Sequence, residues 1–268
     1  MKTLSSAIIA TQILLILFGC NGNDYEKTRI KYGMKRYEKK SEKCDSTGCA
    51  KIVLEYPAIK SAFNGLVEDS LTNYIQSTLL ENYFQGNKVK SLDQMAEIFL
   101  DDYENTRTEL PVYGIPWEIN NTISVTYNTN SIVAFQSEFY HFTGGAHGIS
   151  GIYFANFDSK DGKKLTLSDL LIAGYKKELD NIAEKIFRKE KELELDENLE
   201  AAGYWFEGNQ FSLNDNFGIK NDGLIFYFNS YEVAPYAMGS AEIMVPYSEI
   251  KNLVKQDGLL NNVIAELN

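Results

Sequence analysis

Hydrophobic side chains follow two different periods along this chain, and the change of period separates predicted helices from predicted strands. Over residues 59–79 and 91–108, apolar residues recur every three or four positions, which places them on one face of a helix. Further along, the period falls to about two, which is typical of half-buried strands joined by tight turns. These predicted strands are 117–127, 132–142 and 151–158.

The rest of the pattern completes a fold of mixed class. The remaining elements are a first strand, a third helix, two late strands and a short helix, at 52–57, 165–187, 224–228, 241–246 and 248–254. The order β-α-α-β-β-β-α-β-β combines helices with an antiparallel meander. It therefore predicts an α+β fold, with one or more antiparallel sheets and helices packed on one face.

The N-terminus is typical of a secretion signal. One lysine precedes an apolar run over residues 7–18, which is shorter than the about 20 residues that a membrane span needs. Cys20 directly follows Gly19, as in the bacterial lipobox. We therefore expect a signal peptide over residues 1–19 and a lipid on Cys20; a short buried helix is the alternative. Asn21 replaces the aspartate of an inner-membrane retention signal, which favours the outer membrane or the cell surface.

Residues 20–48 are predicted to form a flexible tether behind the lipidated cysteine. The segment shows little apolar periodicity, and its basic residues are Lys27, Arg29, Lys31, Lys35, Arg36, Lys39, Lys40 and Lys43. Basic residues next to a membrane anchor are attracted to anionic lipid surfaces. A solvated linker is the alternative interpretation.

The negative net charge of the chain indicates which kinds of partner it could bind. The chain has 26 basic and 37 acidic residues, for a net charge of −11. Nucleic acid is disfavoured because its binding depends on Lys and Arg neutralising phosphates. A cationic partner is favoured, since an acidic surface would steer it in.

Two cysteines remain once Cys20 is assigned to the lipid. Cys44 and Cys49 are separated by four residues, and in an oxidising envelope compartment a disulfide between them is the default expectation. A zinc site needs about four ligands, and a redox motif usually has the C-x-x-C spacing. The sequence therefore favours a structural disulfide.

Candidate catalytic groups are sparse. The histidines are His141 and His147; neither lies in a G-x-S-x-G turn, and no spare cysteine is available as a nucleophile. Nothing singles out a carboxylate pair among the 37 acidic residues. The sequence thus predicts no catalytic residue, no metal site and no cofactor, and a protein that is not an enzyme.

Two loops stand out as candidate binding elements. Residues 141–148 contain three glycines in five positions, which permits close backbone approach and could present His147 to a ligand. Residues 231–239 place two tyrosines around a proline, and tyrosine suits an interface hot spot. The predicted contacts are His147, Tyr231, Glu232, Pro235 and Tyr236. The alternatives are that the glycines only shape a hairpin, the tyrosines pack on a sheet edge and Glu232 caps a turn.

These loops belong to a longer set of segments that resembles a known family. The segments are 142–148, 156–170, 223–237 and 245–247. In this order they resemble the extracytoplasmic domain of the anti-sigma factor RsiV, a region that also occurs beside the catalytic domain of the peptidoglycan deacetylase PdaC.

The resemblance covers roughly residues 50–255 and implies a two-part α+β architecture. The implied parts are 49–140, 141–255 and a C-terminal tail at 256–268. In RsiV this region binds lysozyme, and a cationic lysozyme would suit the acidic chain here. The lipobox replaces RsiV's cytoplasmic segment and membrane helix, and no deacetylase domain is appended. Neither the sigma-binding role nor the deacetylase activity is therefore expected to carry over.

The sequence as a whole predicts a lipid-anchored, extracytoplasmic binding protein of the cell envelope. The expected partners are lysozyme or another cationic envelope protein, or peptidoglycan. Two alternatives come from other classes: a peptidoglycan-active enzyme or accessory domain, and a structural envelope lipoprotein without a defined ligand.

Overall fold

The computed structural model describes residues 29–42, 44, 48–81, 89–109 and 115–267. It has the mixed α+β fold that the hydrophobic pattern predicts. The predicted signal peptide, the predicted lipid attachment at Cys20 and the start of the predicted tether lie outside these residues. Within the described ranges, no helix is long and apolar enough to cross a membrane.

The larger sheet contains six strands in the part of the chain that is described, in the order β1-β2-β3-β4-β5-β6. The strands are β1 Lys31–Lys40, β2 Lys51–Ser61, β3 Glu118–Asn128, β4 Ile132–Phe142, β5 Ile149–Asp158 and β6 Lys164–Leu165. Neighbouring strands are antiparallel except for the parallel pair β2 and β3. A parallel pair needs a crossover connection, and α1 (Gly65–Glu81) and α2 (Leu92–Glu109) lie in that connection.

The two crossover helices cover one face of the larger sheet. Their apolar stripes pack on the inward residues of the strands and form the first core, in which Leu54, Leu71, Phe99 and Phe135 are fully buried. The apolar stripe of each helix forms one side of this core, and the inward-facing residues of the alternating strands form the other side.

The C-terminal elements build a second core around a smaller sheet. Its strands run antiparallel in the order β7-β8-β9. The elements are α3 Leu167–Leu170, α4 Tyr175–Glu190, β7 Phe217–Ile219, β8 Gly223–Phe228, β9 Ala241–Pro246, α5 Tyr247–Ile250 and α6 Leu259–Leu267. A group of aromatic rings packs within this core: Phe187 packs edge-on against Phe206 at 5.6 Å between ring centres, and Phe206 lies 4.9 Å from Phe211.

The prediction of a flexible tether is wrong for Lys31–Lys40, which forms the edge strand β1. Most of its side chains are exposed on both faces, so it has no hydrophobic alternation that could reveal it. Its order comes from the backbone, because β1 pairs along its whole length with β2.

Other predicted boundaries also move. The predicted division at residue 141 falls inside β4, whose hairpin partner β5 belongs to the same sheet, so the first sheet extends to Leu165 in β6. The predicted helix 165–187 is two helices, and α4 begins after Gly174, which has a φ of 82°. The expected tail carries α6, which buries Leu260 in the second core.

Three asparagine side chains join the two sheets. Because β6 pairs only with the end of β5, the backbone of β5 earlier in the strand needs other partners. Asn229 accepts from the N–H of Ile152 at 2.7 Å, and Asn216 accepts from the N–H of Phe154 at 2.9 Å. Asn156 in β5 donates to the carbonyl of Phe217 in β7 at 2.9 Å. These bonds fix the second core, and the loop after β8, against the edge of the first sheet.

Candidate functional site

The two candidate loops meet at one place on the surface. The ring of His147 stacks on Tyr236, with ring centres 4.3 Å apart and planes 13° apart. The ring of Tyr231 lies 5.5 Å from that of Tyr236, with the planes tilted by 31°. We call the five predicted contact residues His147, Tyr231, Glu232, Pro235 and Tyr236 the loop surface.

The loop that carries His147 is shaped by its glycines. Gly144 and Gly145 have φ values of 93° and 92°, a region that favours glycine. A Cβ on Gly148 would lie 2.5 Å from the ring of Tyr140, so only glycine allows this approach. Nδ1 of His147 lies 3.0 Å from the carbonyl of Gly148. A neutral ring with this bond donates through Nδ1 and keeps its lone pair on Nε2.

The loop that carries the tyrosines is held in a tight, partly strained conformation. Tyr231 has a φ of 69°, which is uncommon for a bulky residue. The adjacent Glu232 carboxylate accepts from the N–H of Asn229 at 2.8 Å and from the side-chain amide of Asn214 at 2.6 Å. Glu232 therefore caps this turn, the structural alternative in the sequence analysis, and it does so while its side chain stays exposed.

The tyrosines keep much of their surface in solvent. Tyr231 is 56% exposed and Tyr236 is 41% exposed. Half-buried Pro235 precedes a short 3-10 helix, Tyr236–Met238. The sheet-edge alternative thus does not describe these two rings. The backbone around them is anchored by hydrogen bonds, while both rings remain partly exposed to solvent.

An acidic hollow adjoins the loop surface. It has a volume of about 370 Å³, and its lining includes Tyr153, Asp215, Tyr231 and Glu232. Burial, followed by the charge of Glu232, raises the pKa of the Tyr153 phenol. Two carboxylates beside exposed phenol rings can attract a cationic side chain of a partner.

The other histidine, His141, is half-buried and is bonded within the larger sheet. His141 accepts or donates a hydrogen bond of 2.8 Å between its Nε2 and Oδ1 of Asn121, and burial lowers its pKa to about 4. Across the described residues, no group of three or more His, Cys, Asp or Glu side chains could hold a metal ion.

The predicted disulfide is confirmed. Cys44 and Cys49 are bonded, with Cα atoms 4.5 Å apart, in the connection between β1 and β2. Next to it, the N–H of Ser41 donates to the carbonyl of Ala50 at 2.9 Å. The disulfide thus closes the hairpin that orders β1.

Comparison with known proteins relates the chain to two families. A family model described as "Deacetylase PdaC" matches residues 24–150, and one described as "Protein of unknown function (DUF3298)" matches residues 168–248. Neither match singles out the RsiV family. The peptidoglycan-N-acetylmuramic acid deacetylase PdaC of Bacillus subtilis is 26% identical over 206 residues, which are 76% of this chain. The chain spans 38% of the length of that protein.

Solved structures share the fold. A DUF3298 family member from Bacteroides fragilis superimposes with a TM-score of 0.71 at 21% identity, covering 89% of this chain and 97% of its own. A DUF3298 family protein from Pseudomonas aeruginosa gives a TM-score of 0.66 at 22% identity, covering 84% and 94%.

The expectation that the chain is not an enzyme is overturned by these matches. A deacetylase family model covers its N-terminal half, and a curated deacetylase is its distant relative. The chain shows no nucleophile, metal-ligand or carboxylate-pair pattern along its sequence. The absence of such patterns in a single sequence is weak evidence, because catalytic groups converge in space and not along the chain.

Proposed function

We propose that this chain is an extracytoplasmic protein with a peptidoglycan-related role, and that its loop surface binds a cationic cell-wall protein of the lysozyme type. The observation that carries the proposal is the stack of His147, Tyr236 and Tyr231, which is anchored at its base and exposed at its outer side. The similarity to a peptidoglycan deacetylase supports the cell-wall role.

The chemistry of the loop surface favours a protein partner with positive charge. Tyrosine provides a large contact area with few rotatable bonds, so little entropy is lost on binding. Asp215 and Glu232 add negative charge beside the rings, and the whole chain carries a net charge of −11. Complementary charge raises the association rate and makes it sensitive to salt.

A binding measurement with matched variants tests this proposal. The immobilised chain is titrated with lysozymes of several classes, and the double variant Tyr231→Ala/Tyr236→Ala is compared with Tyr32→Ala. Tyr32 lies on β1 and is 36% exposed, so it controls for the loss of a surface tyrosine. We expect the double variant to bind about thirtyfold more weakly or worse, and the control to bind as the wild type does. Absence of binding by the wild-type chain to every lysozyme would reject this partner.

Deacetylation of peptidoglycan is the second candidate function, and the match to the deacetylase family model favours it. The test is acetate release from purified peptidoglycan by the wild-type chain, by His147→Ala and by Glu232→Gln. Release that disappears in either variant would assign the activity to the loop surface. No release by the wild type would remove this candidate.

The lipid anchor is part of the same proposal and has its own test. The wild-type chain, expressed with its N-terminus in a bacterium, should enter the detergent phase after phase separation. Cys20→Ser should leave it in the aqueous phase, because the acylated residue is lost and about 0.8 kcal/mol per methylene of membrane affinity is lost with it. Equal partitioning of both would contradict the anchor.

A further inference from the structure

Trp205 is an exposed aromatic ring on a rigid base. Its neighbours Tyr204 and Phe206 are buried and pack against Phe187, with ring centres at 4.9 and 5.6 Å. The N–H of Trp205 donates to the carbonyl of Val233 at 2.8 Å. The indole is nevertheless 52% exposed. We propose that the hollow beside this ring binds amino-sugar rings of a glycan strand, with one sugar stacked on the indole of Trp205.

The hollow has the size and composition of a ligand site. Its volume is about 740 Å³, within the range of roughly 300–1,000 Å³ typical of such sites. Lys176 donates to Asp180 at 3.1 Å and to Ser212 at 2.9 Å, and the N–H of Leu213 donates to Asp180 at 3.1 Å. These polar groups are thus already oriented along the wall beside Trp205.

A pyranose ring fits this combination of an aromatic plate and a polar wall. One face of the sugar carries C–H groups that pack on the electron-rich face of an indole. Its hydroxyl and acetamido groups project from the ring edge and need hydrogen-bond partners. An apolar ligand would remove water from the charged groups of the wall without offering them hydrogen bonds, and a small ion would leave the indole uncovered.

The hollow continues into a second one, which favours a chain of sugars over a single sugar. Asn214 and Glu232 line both this hollow and the acidic hollow that contains Tyr153 and Tyr231. The second hollow supplies further exposed rings along the same surface. The assignment to an amino-sugar chain rests on the proposed cell-wall role. Trp205 itself lies outside the loop surface, although the two hollows share Glu232 with it and the second hollow includes Tyr231.

Fluorescence tests the site directly, because the chain has two tryptophans. Trp117 is half-buried and packs on Phe99 and Tyr103 at 5.9 and 5.8 Å between ring centres, so it would contribute its own emission. In Trp117→Phe the emission therefore reports Trp205 alone. This variant is titrated with the β-1,4-linked tetramer of N-acetylglucosamine and with cellotetraose, and the affinities are repeated by calorimetry.

We expect the amino-sugar tetramer to shift the emission of Trp117→Phe to shorter wavelength in a saturable way. By calorimetry, Trp205→Ala should bind about thirtyfold more weakly than the wild type, and Trp205→Phe should retain part of the affinity. Leu195→Ala is the matched control, since Leu195 is 73% exposed elsewhere on the surface; it should bind as the wild type does. Equal unfolding midpoints for all variants would exclude a folding defect.

The proposal is overturned if the tetramer gives no saturable shift at millimolar concentration, or if Trp205→Ala binds it as tightly as the wild type. Equal binding of cellotetraose would overturn the assignment to amino sugars. Lysozyme binding by Trp205→Ala separates this site from the loop surface: we expect it to be unchanged. Failure of one assay with success of the other therefore identifies which proposal is wrong.

Discussion

Replacing Asn216 by alanine would remove the most connected link between the two sheets. The side chain accepts one hydrogen bond from the N–H of Phe154 at 2.9 Å. It donates two more, to the carbonyls of Ile152 at 2.8 Å and Tyr227 at 2.9 Å. All three are lost in Asn216→Ala. The carbonyls of Ile152 and Tyr227 keep second donors, Asn229 at 3.2 Å and Asn214 at 2.8 Å, whereas the N–H of Phe154 in β5 loses the partner that Asn216 supplied.

The expected loss of stability follows from these three bonds. A hydrogen bond within a protein contributes about 1 kcal/mol net, and an unpaired buried partner adds to the loss. Asn216→Ala should therefore lower the free energy of unfolding by about 3 kcal/mol. With a urea dependence of about 2–3 kcal/mol per molar, the midpoint should fall by about 1 M or more. Asn252→Ala is the control: Asn252 is exposed and makes one bond of 2.8 Å to Glu178, so it should cost less than about 0.5 kcal/mol.

Each core has its own fluorescent reporter for this experiment. Trp117 packs on the first core, and Trp205 adjoins the second core through its chain neighbours Tyr204 and Phe206, which are buried there. Urea unfolding is followed in Trp205→Phe and in Trp117→Phe, each with and without Asn216→Ala. If the asparagine couples the cores, the variant should unfold with two separated transitions or with one earlier transition. A midpoint within error of that of Asn252→Ala would refute the role assigned to Asn216.

Three further perturbations give expected outcomes of known sign. Burial lowers the pKa of His141 to about 4, whereas the unfolded chain protonates this ring near pH 6.5. The free energy of unfolding should therefore fall by about 3 kcal/mol as the pH drops from about 6.5 towards 4. Urea titrations of His141→Gln should lack this loss. A Cβ on Gly223 would lie 2.2 Å from a backbone carbonyl of β9, so Gly223→Ala should destabilise the protein by about 2–3 kcal/mol and lower its melting temperature. Gly65→Ala is the control: a Cβ there would meet no atom within 4 Å, so the melting temperature should not fall. Replacing Cys44 and Cys49 by serine should cost about 2 kcal/mol, and a reductant should then no longer alter the urea midpoint.

The elements with a clear hydrophobic period could be predicted from the sequence. The stripes of α1 and α2 and the alternation in β3 to β5 follow directly from one buried face, and such patterns carry most of the local information. β1 could not be found in this way, because its order depends on pairing with β2 and not on burial of its own side chains. The prediction of a tail at α6 is wrong for a different reason: a nine-residue helix gives only about two turns of periodicity.

The loop surface shows which part of a site a sequence can reveal. Residue types that suit binding marked His147, Tyr231 and Tyr236, while 84 positions separate His147 from Tyr231 in the chain. Their contact depends on Asn216 and Asn229, whose amides dock the loop after β8 onto the edge of β5. An asparagine that replaces a missing strand partner has no sequence signature, since the same residue type is common in exposed turns.

Trp205 also has no distinguishing signature in the sequence. It stands between Tyr204 and Phe206, and a run of three aromatic residues is typical of a buried cluster. The structure buries Tyr204 and Phe206 and leaves the indole of Trp205 exposed. The exposed part of this ring gives up the stabilisation of about 25 cal/mol per Å² that burial of apolar surface would provide. Tyr231 adds backbone strain at φ 69° in the loop that accepts the hydrogen bond from Trp205. Such unfavourable features persist when the surrounding structure holds them in place, and they concentrate at functional sites. Because the second core and the asparagine links hold both loops before any partner arrives, binding there would require little further ordering of the chain.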